Sequence, residues 1–86
     1  MTERFNVVVW YEGYWEYFVR DVGDREAVET AHRLVQTLGK RGLVDRIQIT
    51  DSDDFTNLLW ERGKGIVYPT PEIRQKAREE QKEGLL

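Results

Sequence analysis

The chain has 86 residues, 40% of them apolar, no cysteine, one histidine and a net charge of −3 with a pI near 5.1. That length gives one hydrophobic core and buries only about 60–65% of the surface that the unfolded chain exposes. Disulfides and a Cys/His zinc site are excluded as staples, and no apolar run reaches the roughly 18 residues that cross a bilayer. The acidic balance argues against a nonspecific grip on DNA or RNA, which normally needs a cationic excess. Met1-Thr2-Glu3-Arg4 lacks the basic then apolar pattern of a signal peptide, so the sequence reads as cytoplasmic, with no membrane association.

Residues 5–22 read as two strands. Seven of the ten aromatics fall between Phe5 and Phe18, among Val7, Val8, Val9 and Val19, which is strand composition. Glu12-Gly13 is the only turn signal, and it permits two registers. A two-residue loop pairs Tyr11 with Tyr14 and places Glu16 beside Phe5, Val7 and Val9. A three-residue loop, with Gly13 in a G1 bulge, pairs Trp10 with Tyr14. Phe5, Val7, Val9, Trp15, Tyr17 and Val19 then share a face without a charge. Because a one-residue slip exchanges faces, the clean apolar face predicts the bulged loop. It leaves Val8, Trp10, Tyr14 and Phe18 on the opposite face, with Asn6, Glu16 and Arg20.

Residues 24–38 read as a helix. Asp24 can cap its first turn, and Ala27, Val28, Ala31, Leu34, Val35 and Leu38 recur at helical spacing. Gly39 is the predicted stop, with Lys40 and Arg41 complementing the carbonyl end of the dipole. Residues 44–50 and 55–61 read as a second hairpin around Asp51-Ser52-Asp53-Asp54, with Ile49 opposite Thr56 and Ile47 opposite Leu58. One face carries Ile47, Ile49, Leu58 and Trp60, and the other Arg46, Gln48, Asn57 and Leu59. Gly63-Lys64-Gly65 breaks the strand, and Ile66-Val67-Tyr68 returns briefly to the sheet edge. Thr70-Pro71 is a helix start, but the helix it opens is polar nearly all round, with only Ile73 and Ala77 at i, i+4 spacing.

The predicted fold is therefore α+β, a two-layer β-β-α-β-β-α chain. An antiparallel sheet of about four strands has one main helix packed on one face. Residues 1–69 form the single compact domain and residues 70–86 a polar C-terminal helix, partly frayed, with Gly84-Leu85-Leu86 mobile.

The inventory for chemistry is poor. His32 lies at the flank of the helical stripe with no nucleophile or carboxylate brought to it by sequence, so it reads as a boundary residue. Asp51-Ser52-Asp53-Asp54 lacks the glycine and distal glutamate of an EF-hand and reads as a turn. Gly63-Lys64-Gly65 lacks the frame of a P-loop. Arg33, Lys40, Arg41 and Arg46 read as helix-end and loop charges. No catalytic residue, metal site or cofactor is predicted, and the chain does not read as an enzyme.

One feature resists a bland explanation. Trp10, Tyr14 and Phe18 with Val8 form an apolar patch facing away from the helix, and such patches mark binding surfaces unless the C-terminal helix or residues 66–69 cover them. The sequence does not determine a function. Its best reading is a small noncatalytic interaction module that self-associates as a homo-oligomer or binds a protein partner through this face. The alternatives are single-stranded nucleic-acid binding by aromatic stacking, against which the acidic pI and Glu16 argue, and a small-ligand-binding accessory domain.

Overall fold

The computed structural model describes residues 3–84, with the side chains of residues 74 and 81–84 left out of the description. Leu85 and Leu86 lie outside those residues. Five strands, β1 (Phe5–Tyr11), β2 (Tyr14–Val22), β3 (Arg46–Asp51), β4 (Thr56–Glu61) and β5 (Gly65–Tyr68), form one sheet in the order β2-β1-β3-β4-β5. Every neighbouring pair is antiparallel. Helix α1 (Asp24–Leu34) packs on β1, β3 and β2, and α2 (Pro71–Gly84) closes the chain. The class is α+β as the sequence predicts, with five strands rather than four.

β1 is an interior strand, between β2 and β3, because its valines suit burial on both faces. Phe5, Val7 and Val9 join Ala27, Ala31, Leu34, Val44, Ile47 and Ile49 in the core beneath α1, while Val8 is buried from the other side. The buried stripe of α1 is Ala27, Thr30, Ala31 and Leu34, an i, i+3, i+4, i+7 set. Val28, predicted for that stripe, is exposed, and so is His32.

The helix caps differ from expectation at both ends. Gly23 is the N-cap, with its carbonyl accepting from the Ala27 N–H at 3.0 Å, and Asp24 is the first helical residue. Its charge still complements the dipole there. At the far end the helix continues through a π turn, Val35–Gly39, and stops at Gly42. Gly42 has φ +70, its N–H donates to the Gly39 carbonyl, and the Leu43 N–H donates to the Leu38 carbonyl. Those two bonds around a left-handed glycine are a Schellman cap. Gly39 serves a different purpose: a Cβ there would lie 2.8 Å from the Trp60 ring, so its hydrogen lets the indole of β4 pack against the helix.

The hairpin registers carry the main corrections. Tyr11 pairs with Tyr14 and Val9 with Glu16, so Glu12-Gly13 is a two-residue loop, with Gly13 at φ +89. The predicted G1 bulge is absent at the turn, and the extra residue appears mid-strand instead. Val8 pairs with Tyr17 and Val7 with Val19, leaving Phe18 unpaired, and a second irregularity before Val22 includes Asp21 at φ +57. In the second hairpin Ile49 pairs with Leu58 and Ile47 with Trp60, two residues from the predicted register, with a bulge at Asn57. A slip of two preserves faces, so Ile47, Ile49, Leu58 and Trp60 do share one side.

α2 starts as predicted, with the Thr70 hydroxyl accepting from the Ile73 N–H at 3.3 Å. Its side chains, where described, are all exposed, and it covers neither face of the sheet.

Candidate interaction surface

Strand pairing fixes which side chains share the face opposite α1, because directly paired residues point the same way. Trp10 is paired with Trp15, and Val8 with Tyr17. On the other side of β1, Trp10 is paired with Arg46, Val8 with Gln48 and Asn6 with Thr50. The open face therefore carries an aromatic column on β2 and a polar column on β3, with Trp10 and Val8 between them.

The bulge at Phe18 creates this arrangement. Before it, Trp15 and Tyr17 point to the open face; after it, Val19 points to the helix side, where it packs against the core. Arg20 then returns to the open face, its guanidinium 4.4 Å from the Tyr17 ring centroid. The rings touch: Trp10 and Trp15 centroids lie 6.0 Å apart, and Trp15 meets Tyr17 edge to face at 5.4 Å.

Of the four residues predicted for this face, Val8 and Trp10 are on it. Tyr14 is on the opposite face, stacked on Tyr11 at 4.8 Å at the hairpin tip. Phe18 is exposed in the bulge. The sequence pattern puts Trp15 and Tyr17 on the core side; in the structure they take the places predicted for Tyr14 and Phe18. Glu16, whose charge argued against the two-residue loop, is exposed at the tip beside Tyr11. Partial burial, then the hydrogen bond and charge of Glu16, and last Tyr14 push the Tyr11 phenol above its usual range.

A shallow depression of about 240 Å³ lies within this face. Val8 and Thr50 are its buried floor, Trp10, Trp15 and Tyr17 line it, and Asp54 stands at its rim. The Trp10 indole N–H donates to Gln48 Oε1 at 3.0 Å, and Gln48 Nε2 donates to Thr56 Oγ1 at 2.6 Å. That chain locks the Trp10 rotamer. The Thr50 hydroxyl, 5% exposed as a residue, is the one buried side-chain polar atom among the described residues with no hydrogen-bond partner. Arg46 is held by Glu61 at 3.5 Å and lies 5.9 Å from the Trp10 ring.

The remaining sequence candidates have structural employment. The Asp51 carboxylate accepts from the backbone N–H groups of Asp53 and Phe55 and from the Asn57 amide. Partial burial pushes its carboxyl up, but these hydrogen bonds outweigh that and hold it below the usual carboxylate value. Gly63 and Gly65, at φ +83 and +79, shape the tight β4–β5 turn. Arg46 stands on the open face and pairs with Glu61, while Arg33, Lys40 and Arg41 are exposed on the helix and the turn that follows it. A second cleft, at the end of the sheet, is occupied by paired charges: Arg62 bonds Asp45 at 3.0 Å and the Gly42 carbonyl at 2.6 Å. Among the described residues no group of three or more His, Cys, Asp and Glu could hold a metal ion, and no helix is long and apolar enough to cross a membrane.

No protein-family model, curated protein or solved structure matches this chain.

Proposed function

We propose that this chain is a small noncatalytic binding domain that takes another polypeptide on the open face of its sheet. The observation that carries the reading is the contiguous Trp10–Trp15–Tyr17 cluster on a face that α2 leaves uncovered. Interfaces are enriched in aromatic residues and arginine at their centres, and Arg20 and Arg46 flank these rings. The sheet edges favour the face over strand addition. β2 is interrupted by two irregularities and β5 has four residues, both of which blunt edge pairing.

A single strand of nucleic acid would also find rings and arginines here. Asp54 and Glu61 share the surface, however, and Glu61 already pairs with Arg46. The backbone phosphates would have few free cations to meet.

The reading is tested by selecting peptides from a displayed library against the wild-type domain. Binders should lose at least tenfold in affinity for the W15A/Y17A double variant and keep it for V28A, an exposed change on α1. Binders indifferent to the double variant would refute it.

A further inference from the structure

The open face holds two unpaired charges and one unpaired hydroxyl, and their positions are related. Val7 pairs with Val19 and Phe5 with Val22, so Arg20 lies beside the level of Asn6 on one side of β1. Thr50 pairs with Asn6 on the other side. Arg20 and Thr50 are thus at matching heights on opposite flanks of β1, about 10 Å apart at two strand spacings. Asp54 lines the same depression as Thr50. Among the described residues neither Arg20 nor Asp54 has an ion-pair partner.

A two-fold axis lying along β1 exchanges its two flanks. We propose that the occupant of the open face is a second copy of this chain, packed face to face about such an axis, with Arg20 of each copy reaching Asp54 of the other. This rests on the open face being the recognition surface, and it names the partner.

The rest of the register supports the same axis. Trp15 and Arg46 both pair with Trp10, from opposite sides, and Tyr17 and Gln48 both pair with Val8. The symmetry therefore sets the β2 column of Trp15, Tyr17 and Arg20 of one copy against the β3 column of Arg46, Gln48 and Thr50 of the other. Each row is complementary: a cation against an indole face, a phenol against an amide, and a guanidinium against the carboxylate of Asp54 beside Thr50. Every contact is made twice, as a closed two-fold interface requires. Two sheets packed in this way lie about 10 Å apart with their strands aligned to within about 30°.

Three overlapped strands make a strip about 14 Å by 20 Å. A strip of that size removes about 300 Å² per copy, roughly 600 Å² in total, well below a standard specific interface. The dimer is therefore weak and reversible, with a dissociation constant on the order of 100 µM or weaker.

Sedimentation velocity between about 10 µM and 1 mM should show the wild type passing from monomer to dimer. R20D and D54K each place two like-charge contacts in the homodimer. Each should be monomeric over that range while keeping the wild-type circular dichroism. Mixed in equal amounts, the two variants should associate, because both salt bridges are rebuilt in the heterodimer with reversed polarity at one site. A folded pair that does not associate on mixing overturns the proposed axis, as does either single variant dimerising like the wild type. A wild type that stays monomeric at about 1 mM overturns the second copy as occupant. Peptide binding that depends on Trp15 and Tyr17 would survive that result and fail only with the broader reading.

Discussion

Replacing Thr50 by valine should make the isolated monomer more stable. The side chain keeps its shape and β-branching, so strand preference is unchanged. What changes is a hydroxyl that is buried with no hydrogen-bond partner. An unsatisfied buried hydroxyl costs about 1–3 kcal/mol by mutational measures, and the added methyl contributes up to about 0.8 kcal/mol of burial. A gain of about 2 kcal/mol is expected, which for a domain of this size raises Tm by roughly 10 °C. Differential scanning calorimetry at a few micromolar, where the monomer predominates, measures it. A Tm unchanged or lowered would show that the Thr50 hydroxyl is already satisfied.

Gly39→Ala sets two effects against each other: alanine adds about 1 kcal/mol of helix propensity, but its Cβ would meet the stiff Trp60 ring at 2.8 to 3.3 Å. Overpacking of that kind costs about 1–3 kcal/mol, so urea denaturation should show a net loss of about 1 kcal/mol together with a shifted tryptophan emission. Ile47→Ala empties a fully buried central position and should cost about 2–5 kcal/mol, a large part of the total for 86 residues, read as a fall in the denaturation midpoint at unchanged slope. Asp51 has a carboxyl pKa lowered in the folded state, so its stabilising effect is present above its unfolded value of 3.8 and lost as pH falls through the lower folded value. Melting curves between pH 2 and 5 should show that loss in the wild type and a flatter profile in D51N.

What the sequence revealed and what it concealed divide along the range of the signal. The stripe Ala27, Ala31 and Leu34 is a local period, and so is the cap Thr70-Pro71, and both read correctly. The alternation in the second hairpin predicts a register two residues from the observed one yet keeps Ile47, Ile49, Leu58 and Trp60 on the right face, because the strand period is two. The first hairpin differs because it contains one extra residue whose place the pattern does not specify. Set at the turn, it sends Trp15, Tyr17 and Val19 inward together; set at Phe18, it sends the two aromatics outward and only the valine inward. Val19 and Val22 are both packed on the helix side though three residues apart, which simple alternation forbids, so an irregularity lies between them, at Asp21, and it carries no sign of the bulge at Phe18. An aromatic patch on the face away from the helix is legible in the sequence, with Val8 and Trp10 placed on it. Its other half depended on strand pairing, as did the alignment of Arg46, Gln48 and Thr50 beside it.

The open face also bears on why α2 stands free. The sequence of that helix offers two apolar side chains on one stripe, Ile73 and Ala77, and burying both would contribute only about 3 kcal/mol. Docking would at the same time restrain glutamate, lysine, arginine and glutamine side chains, each losing up to about 2 kcal/mol of rotamer freedom, and would bring Glu72, Glu79 and Glu80 over an aromatic surface. Those opposing terms are at least as large, and Ile73 is exposed accordingly. A cover for Trp10, Trp15 and Tyr17 therefore has to bring more apolar or better matched surface than the chain's own second helix can. The complementary columns on β2 and β3 offer such a match only between two molecules, since within one sheet they lie side by side and never face each other.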